Sequence, residues 1–230
     1  MGVSGWKEAA SLSAWKLERA AVVGAGAMGA SLAAALSASA PTVLICRNPD
    51  RASTLLRDGV VVEGVLERRA RPIVLRTLSE LASLGGASVV FVATKTTAIP
   101  EVASELKPLL RGLGMGGGDC YVVSYQNGIE PGRQLMELLG SDRVLRMVLS
   151  LGAVLEERTG AVRVTLHAPP HAIGCLDAAH VGVCEAIGAA LTAGGLPTRY
   201  SSDIEERVWE KGILNASTNP IAALVNSSVG

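Results

Sequence analysis

The run from Arg19 to Ala30, Arg-Ala-Ala-Val-Val-Gly-Ala-Gly-Ala-Met-Gly-Ala, constrains this chain more than any other stretch. A short apolar segment ends in G-x-G-x-x-G, and the alanine-rich pattern Ser31-Leu32-Ala33-Ala34-Ala35-Leu36 follows at once. Strand, tight turn and helix in that order give each glycine a distinct steric task. Gly24 can take the positive φ of the turn. Gly26 leaves room for a pyrophosphate beside the backbone, and Gly29 lets the helix lie close on the strand. Ala25, Ala27 and Met28 complete the loop and first turn, whose unpaired N–H groups and partial positive charge suit phosphate.

Strand-like and helix-like patterns alternate through the following residues. Pro41 opens the apolar run Thr42–Cys46, and residues 50–58 read as a short helix ending at Gly59. Residues 60–66 and 71–75 read as strands. Ser88–Thr94 is continuously apolar, as a strand buried on both faces should be. A helix is expected from Pro100 to Arg111, a strand at Tyr121–Ser124 and a helix over 133–139. The segments 144–155, 161–167 and 172–175 read as strands continuing the sheet. A helix over 178–193 and a strand at Thr198–Ser201 follow. The expected fold is α/β, a Rossmann-type doubly wound and mostly parallel sheet spanning residues 1–201. Within it, residues 1–18 form an N-terminal extension with a short helix on Trp6, Ala9, Ala10 and Leu12.

Composition narrows the functional classes. The 230 residues are 49% hydrophobic and carry a formal net charge of zero. No basic cluster interleaves with aromatics, which argues against nucleic acid as a partner. No run of about 18 apolar residues is present, so no membrane-spanning helix is expected. The first residues lack a basic segment leading into an apolar core, so a secretory leader is not expected and a cytoplasmic location is. Cys46, Cys120, Cys175 and Cys184 form no C-x-x-C pair, and His167, His171 and His180 complete no zinc spacing. Free thiols and no metal are expected.

Ligands of open α/β sheets bind outside the carboxyl ends of the strands, which directs attention to three loops. Past the second strand the chain reads Cys46-Arg47-Asn48-Pro49-Asp50-Arg51. An acidic residue there would accept bonds from the ribose 2′-OH of NAD, whereas a guanidinium suits the 2′-phosphate of NADP. Arg47 therefore favours NADP(H), although a surface arginine after a strand has the same appearance. Lys95 ends the Ser88–Thr94 strand and points the search to the cofactor side, as does Gln126-Asn127-Gly128 after the next one. Further on, Asp203 can cap a helix in which Lys211, Asn215 and Asn219 recur at i, i+4 and i+8, on one face. A substrate-facing stripe explains this pattern, with a cation for a developing alkoxide and two amides for polar groups. The same spacing fits a solvated face.

Taken together, Gly24-Ala25-Gly26-Ala27-Met28-Gly29, Val92-Ala93-Thr94-Lys95, Gln126-Asn127-Gly128, Ile173-Gly174 and the stretch Trp209 to Pro220 resemble the ketopantoate reductases. The resemblance covers the chain from about residue 19. It implies reduction of the C2 ketone of 2-dehydropantoate, a 2-oxoacid, to D-pantoate with NADPH. It places the pyrophosphate on Gly24, Gly26 and Gly29 and the 2′-phosphate on Arg47. Lys95 and Asn127 would lie near the nicotinamide ribose and the reacting carbonyl. Lys211 would be the general acid, and Asn215 and Asn219 would bind substrate. It further implies that residues 202–230 begin an all-helical substrate and dimerisation domain. The apolar run Ile221-Ala222-Ala223-Leu224-Val225 needs a cover, either further chain or a second copy in a homodimer through the C-terminal helices.

Overall fold

The computed structural model describes residues 15–226, so the short helix expected around Trp6, Ala9, Ala10 and Leu12 lies outside the described residues. The elements run β1 (Ala20–Val23), α1 (Ala27–Leu36), β2 (Thr42–Ile45), α2 (Pro49–Asp58), β3 (Val60–Gly64), β4 (Arg68–Ala70), β5 (Ile73–Leu75), α3 (Leu78–Ser83) and β6 (Val89–Val92). They continue with α4 (Ile99–Leu106), α5 (Leu110–Leu113), β7 (Tyr121–Ser124), α6 (Pro131–Leu139), β8 (Val144–Val148), β9 (Leu151–Leu155) and β10 (Val162–His167). The last are β11 (His171–Gly174), α7 (Val181–Ala193), β12 (Thr198–Tyr200) and α8 (Ile204–Leu224).

Eight strands form the main sheet in the order β12-β11-β8-β7-β6-β1-β2-β5. From β5 across to β8 every pairing is parallel, β11 then runs antiparallel to β8, and β12 is parallel to β11. Alternate residues of each strand supply opposite faces, as the period of two requires. Val22, Leu44, Phe91 and Val123 pack with α1 and α7 on one side. Val23, Ile45, Val92 and Val122 pack with α3, α4 and α6 on the other. Helices on both faces explain why the central strands are unbroken apolar runs. The chain leaves β1 toward β2 on one side and reaches β6 on the other, so the strand order reverses between β1 and β6. This switch point is where an open α/β sheet forms its ligand crevice. The architecture is the expected Rossmann-type doubly wound sheet. Among the described residues no helix is long and apolar enough to cross a membrane.

Two sequence expectations need correction. The segment 144–155 is not one strand: β8 ends at Val148 in the main sheet, and 151–155 and 161–167 do not continue that sheet. They form β9 and β10, which join β3 and β4 in a separate four-stranded sheet ordered β4-β3-β10-β9. The physical reason lies in α1. Its residues Gly29 to Leu36 are all buried, and a helix apolar all round needs cover on its outer side as well as from the main sheet. The small sheet lies across it. β10 carries the matching signature, with Val162 and Val164 buried and Arg163 and Thr165 exposed, a strand with one wet face. The helix expected from Pro100 to Arg111 is likewise two pieces. Pro108 offers no N–H to the ladder, so α4 ends at Leu106 and α5 restarts at Leu110, even though Lys107 keeps helical angles.

Candidate active site

Sterics fix the glycine loop at the end of β1. Gly24 has φ +108°, and a Cβ there would sit 3.0 Å from the Ala93 carbonyl oxygen, at the exit of β6. Gly29, in the first turns of α1, is closer still: a Cβ would lie 1.9 Å from the Gly24 carbonyl oxygen. Gly26 faces open space, with nothing within 4 Å of a Cβ built on it, and caps α1 through its backbone alone. Ala25 is buried, and Ala27 and Met28 form the first, half-buried turn of the helix. The loop thus presents a bare backbone and the N–H groups of a helix start to the crevice, a cradle that fits a pyrophosphate. Gly29→Ala is expected to lower stability by about 1–3 kcal/mol, because α1 must move off β1. Gly26→Ala should remain within about 0.5 kcal/mol of the parent, as it meets no neighbour. Urea unfolding of the two variants checks this contrast.

At the tip of β2, Arg47 is exposed and its guanidinium lies between two carboxylates of α4, 2.6 Å from Glu101 and 3.0 Å from Glu105. Arg51 behaves differently. Its Nε donates to the Ala25 carbonyl at 3.2 Å and its Nη1 to the Gly160 carbonyl at 2.6 Å, bracing the glycine loop against the β9–β10 turn. Burial lowers the Arg51 pKa from its ordinary value, and Nη2 has no partner among the described residues.

The exits of β6 and β7 are tied together. The Gln126 side-chain amide donates to Thr94 Oγ1 at 3.3 Å and to the Lys95 carbonyl at 3.5 Å. Lys95 itself is exposed and does not line the cleft that forms beyond Asn127. That cleft, of about 810 Å³, is walled on one side by Asn127 and Ser150 and on the other by Lys211, Asn215 and Asn219 of α8. The stripe read at i, i+4 and i+8 therefore faces one space. α8 is held by Ile204 and Val208, both buried against the sheet. The same helical face brings Lys211 and Asn215 inward. At Gly212 a Cβ would sit 3.1 Å from Ile129, which keeps the helix close to the β7 exit.

Burial lowers the Lys211 pKa from the ordinary 10.5, because the charged ammonium loses water. Close by, His171 at the start of β11 is 1% exposed, and its Nδ1 accepts the Ser150 N–H at 3.2 Å. Burial first, then the positive fields of His167 and Lys211, push its pKa down to about 4. His171 is therefore neutral at physiological pH and adds no charge beside the lysine. A half-buried ammonium with three amides around one cleft can donate a proton to an oxygen that gains charge, while the amides align polar substituents.

Sequence reasoning missed the brace behind this wall. Arg146 on β8 is 3% exposed. It pairs with Glu205 in the first turn of α8 at 2.7 Å and donates to the Ile129 carbonyl at 2.6 Å. Glu205 also accepts from Arg133 at 2.8 Å. One signal was legible: an arginine at the centre of the apolar run Val144–Val148 must find a charge partner once buried.

Comparison with known proteins agrees with this architecture. The family model of the ketopantoate reductase PanE/ApbA matches residues 20–177. The chain is 24% identical over 216 residues to the 2-dehydropantoate 2-reductase of Aquifex aeolicus, covering 91% of this chain and 64% of that protein. It is 25% identical over 216 residues to the 2-dehydropantoate 2-reductase of Pyrococcus horikoshii, with the same coverage. The crystal structure of a PanE/ApbA family ketopantoate reductase from Ralstonia eutropha superposes with a TM-score of 0.73 at 24% identity, covering 90% of this chain and 64% of that one. The chain thus spans about two-thirds, 64%, of the length of the curated relatives it matches. With more than half of its residues inside the family model, the chain belongs to the ketopantoate reductase PanE/ApbA family.

Proposed function

We propose that this protein is an NADPH-dependent 2-oxoacid reductase that converts 2-dehydropantoate to D-pantoate. The observation that carries the reading is the cleft itself. Lys211, Asn215 and Asn219 of one helix face Asn127 at the exit of β7, on the same carboxyl side of the sheet as the glycine loop after β1. Family membership supports the same chemistry. When bound, the nicotinamide cofactor supplies the hydride for the C2 carbonyl carbon. Gly24, Gly26 and Gly29, with the start of α1, would hold its pyrophosphate, and Asn127, with Lys95 outside the cleft at the exit of β6, would face its nicotinamide ribose. Lys211 gives a proton to the carbonyl oxygen as charge develops there. Asn127, Asn215 and Asn219 orient the substrate through amide hydrogen bonds, and the cleft wall excludes water from the ammonium.

Arg47 is the proposed 2′-phosphate ligand. Its exposed pairs with Glu101 and Glu105 are worth about 0–1 kcal/mol each. A charge-assisted bond to phosphate is worth about 1.5–3 kcal/mol, comparable to the two pairs together, so the exchange requires Glu101 and Glu105 to turn away from the guanidinium. In our reading residues 1–201 form the nucleotide-binding unit and 202–230 begin a helical one. The apolar outer face of α8, with Trp209, Ile213 and Leu224 exposed, is where further helices or a second copy would pack. The test is NADPH consumption with 2-dehydropantoate, measured by absorbance. Turnover is expected, with Arg47→Ala raising the KM for NADPH by about 10–100-fold and leaving that for NADH nearly unchanged. A parent that binds NADPH yet turns over no 2-oxoacid would be a nucleotide-binding module instead.

A further inference from the structure

We propose that Asp142, Asp177 and His180 form a binding site for a divalent transition-metal ion, zinc above others, on the sheet edge opposite the cleft. One ligand atom from each residue lies within 4.8 Å of the other two. The topology accounts for their meeting. Asp142 precedes β8, whereas Asp177 follows β11, which runs antiparallel to β8 with Gly174 opposite Arg146. Both aspartates therefore sit at the amino ends of the parallel strands, away from Gly26 and Lys211. Because two separate loops supply the ligands, no linear spacing announces the site.

His180 provides the observation that sets this cluster apart from an ordinary acidic surface. The residue is only 8% exposed, while both aspartates are exposed. Its Nε2 lies 3.9 Å from Asp142 Oδ2, too far for a hydrogen bond, and meets no partner among the described residues. A buried ring nitrogen left without a partner costs free energy unless something occupies the space beyond it. The other nitrogen, Nδ1, lies 3.2 Å from the Tyr121 hydroxyl, and the two rings meet edge to face at 5.3 Å. With the proton on Nδ1 donated to the tyrosine oxygen, the Nε2 lone pair faces the carboxylates. This is how a supporting hydrogen bond sets the tautomer of a metal-binding histidine. Asp177 is already fixed, since its Oδ1 accepts the Ala179 N–H at 2.8 Å and caps the short 3-10 turn Ala178–His180.

The donor set selects the ion. Magnesium and calcium prefer oxygen throughout, whereas one imidazole with two carboxylates suits zinc, which tolerates irregular geometry and takes water as a fourth ligand. Ligand atoms around tetrahedral zinc stand roughly 3.3–3.5 Å apart, so the two exposed carboxylates must close in by about 1 Å. A bound ion would staple the entrance of β8 to the start of α7.

Calorimetric titration of zinc into the protein tests the site, with magnesium as the second arm. The expected result is one zinc per chain, a higher thermal midpoint with zinc, and no comparable response to magnesium. The double variant Asp142→Asn with Asp177→Asn keeps the helix-capping oxygen and the side-chain sizes, so it should fold as the parent does. It should bind zinc at least about 100-fold more weakly, and Tyr121→Phe about 10-fold more weakly. Absence of zinc binding by the parent overturns the proposal. So does a double variant that binds zinc as tightly as the parent, or a response to magnesium equal to that to zinc.

Discussion

Replacing Lys211 with alanine is expected to lower kcat for 2-oxoacid reduction by about 10²–10⁴-fold, the usual contribution of a positioned proton donor. The loss should fall on kcat more than on KM. A lysine that merely held the substrate carboxylate would show the reverse, a raised KM with kcat retained. The pH profile separates these cases further. Lys211 must be protonated to act as an acid, and burial lowers its pKa from 10.5. Activity in the reductive direction should therefore fall as pH rises through a value below 10.5, and the Lys211→Ala variant should lack that alkaline limb. His171 contributes no limb near neutrality, because its pKa is held at about 4. Steady-state kinetics across pH on the parent and variant decide the matter. An alkaline limb that survives unchanged in the variant removes Lys211 from the acid role.

Legibility in the sequence followed the range of each interaction. The glycine loop was readable because its pattern is local: the turn needs the positive φ of Gly24 and Gly29 packs on the Gly24 carbonyl, while the approach of Gly24 to Ala93 at the exit of β6 left no mark. The stripe Lys211, Asn215 and Asn219 was readable because helical periodicity alone puts the three on one face. Which space that face meets was not, since it depends on Ile204 and Val208 docking on the sheet. β10 was read as a strand but placed wrongly, and β9 was read as the end of a single strand 144–155, because partner choice depends on α1 needing an outer cover. Arg47 was read as a phosphate ligand from its place after β2, but its carboxylate neighbours Glu101 and Glu105 lie 54 and 58 residues away and left no mark on the local pattern. The Asp142–Asp177–His180 cluster and the Arg146–Glu205 pair are of the same kind, made only when the chain folds back.

The Arg146–Glu205 pair carries the largest expected change in stability. Glu205→Ala strips the buried guanidinium of its carboxylate and leaves it only the carbonyls of Ile129 and, at 3.4 Å, Gly128. Breaking a buried pair from one side costs about 3–5 kcal/mol, because an uncompensated charge remains. Glu205 is partly solvated, which puts the expected loss near the lower figure. The pH dependence gives an independent check. Burial raises the Glu205 pKa, but hydrogen bonds and charge from Arg146 and then Arg133 outweigh it, so the carboxyl lies below its ordinary 4.5. A depressed carboxylate stabilises the fold fully above its unfolded value and loses that contribution as pH falls through the folded one. The parent should therefore shed stability below about 4.5 that the alanine variant has already lost, and their urea-unfolding curves should converge in acid. The same substitution reaches the chemistry. Arg146 joins the Gly128–Ile129 turn to the first turn of α8, so loosening it shifts Lys211 relative to Asn127. A variant with unaltered stability at neutral pH would mean that Arg133 and the carbonyls suffice, and that the wall of the cleft is held by Ile204 and Val208 alone.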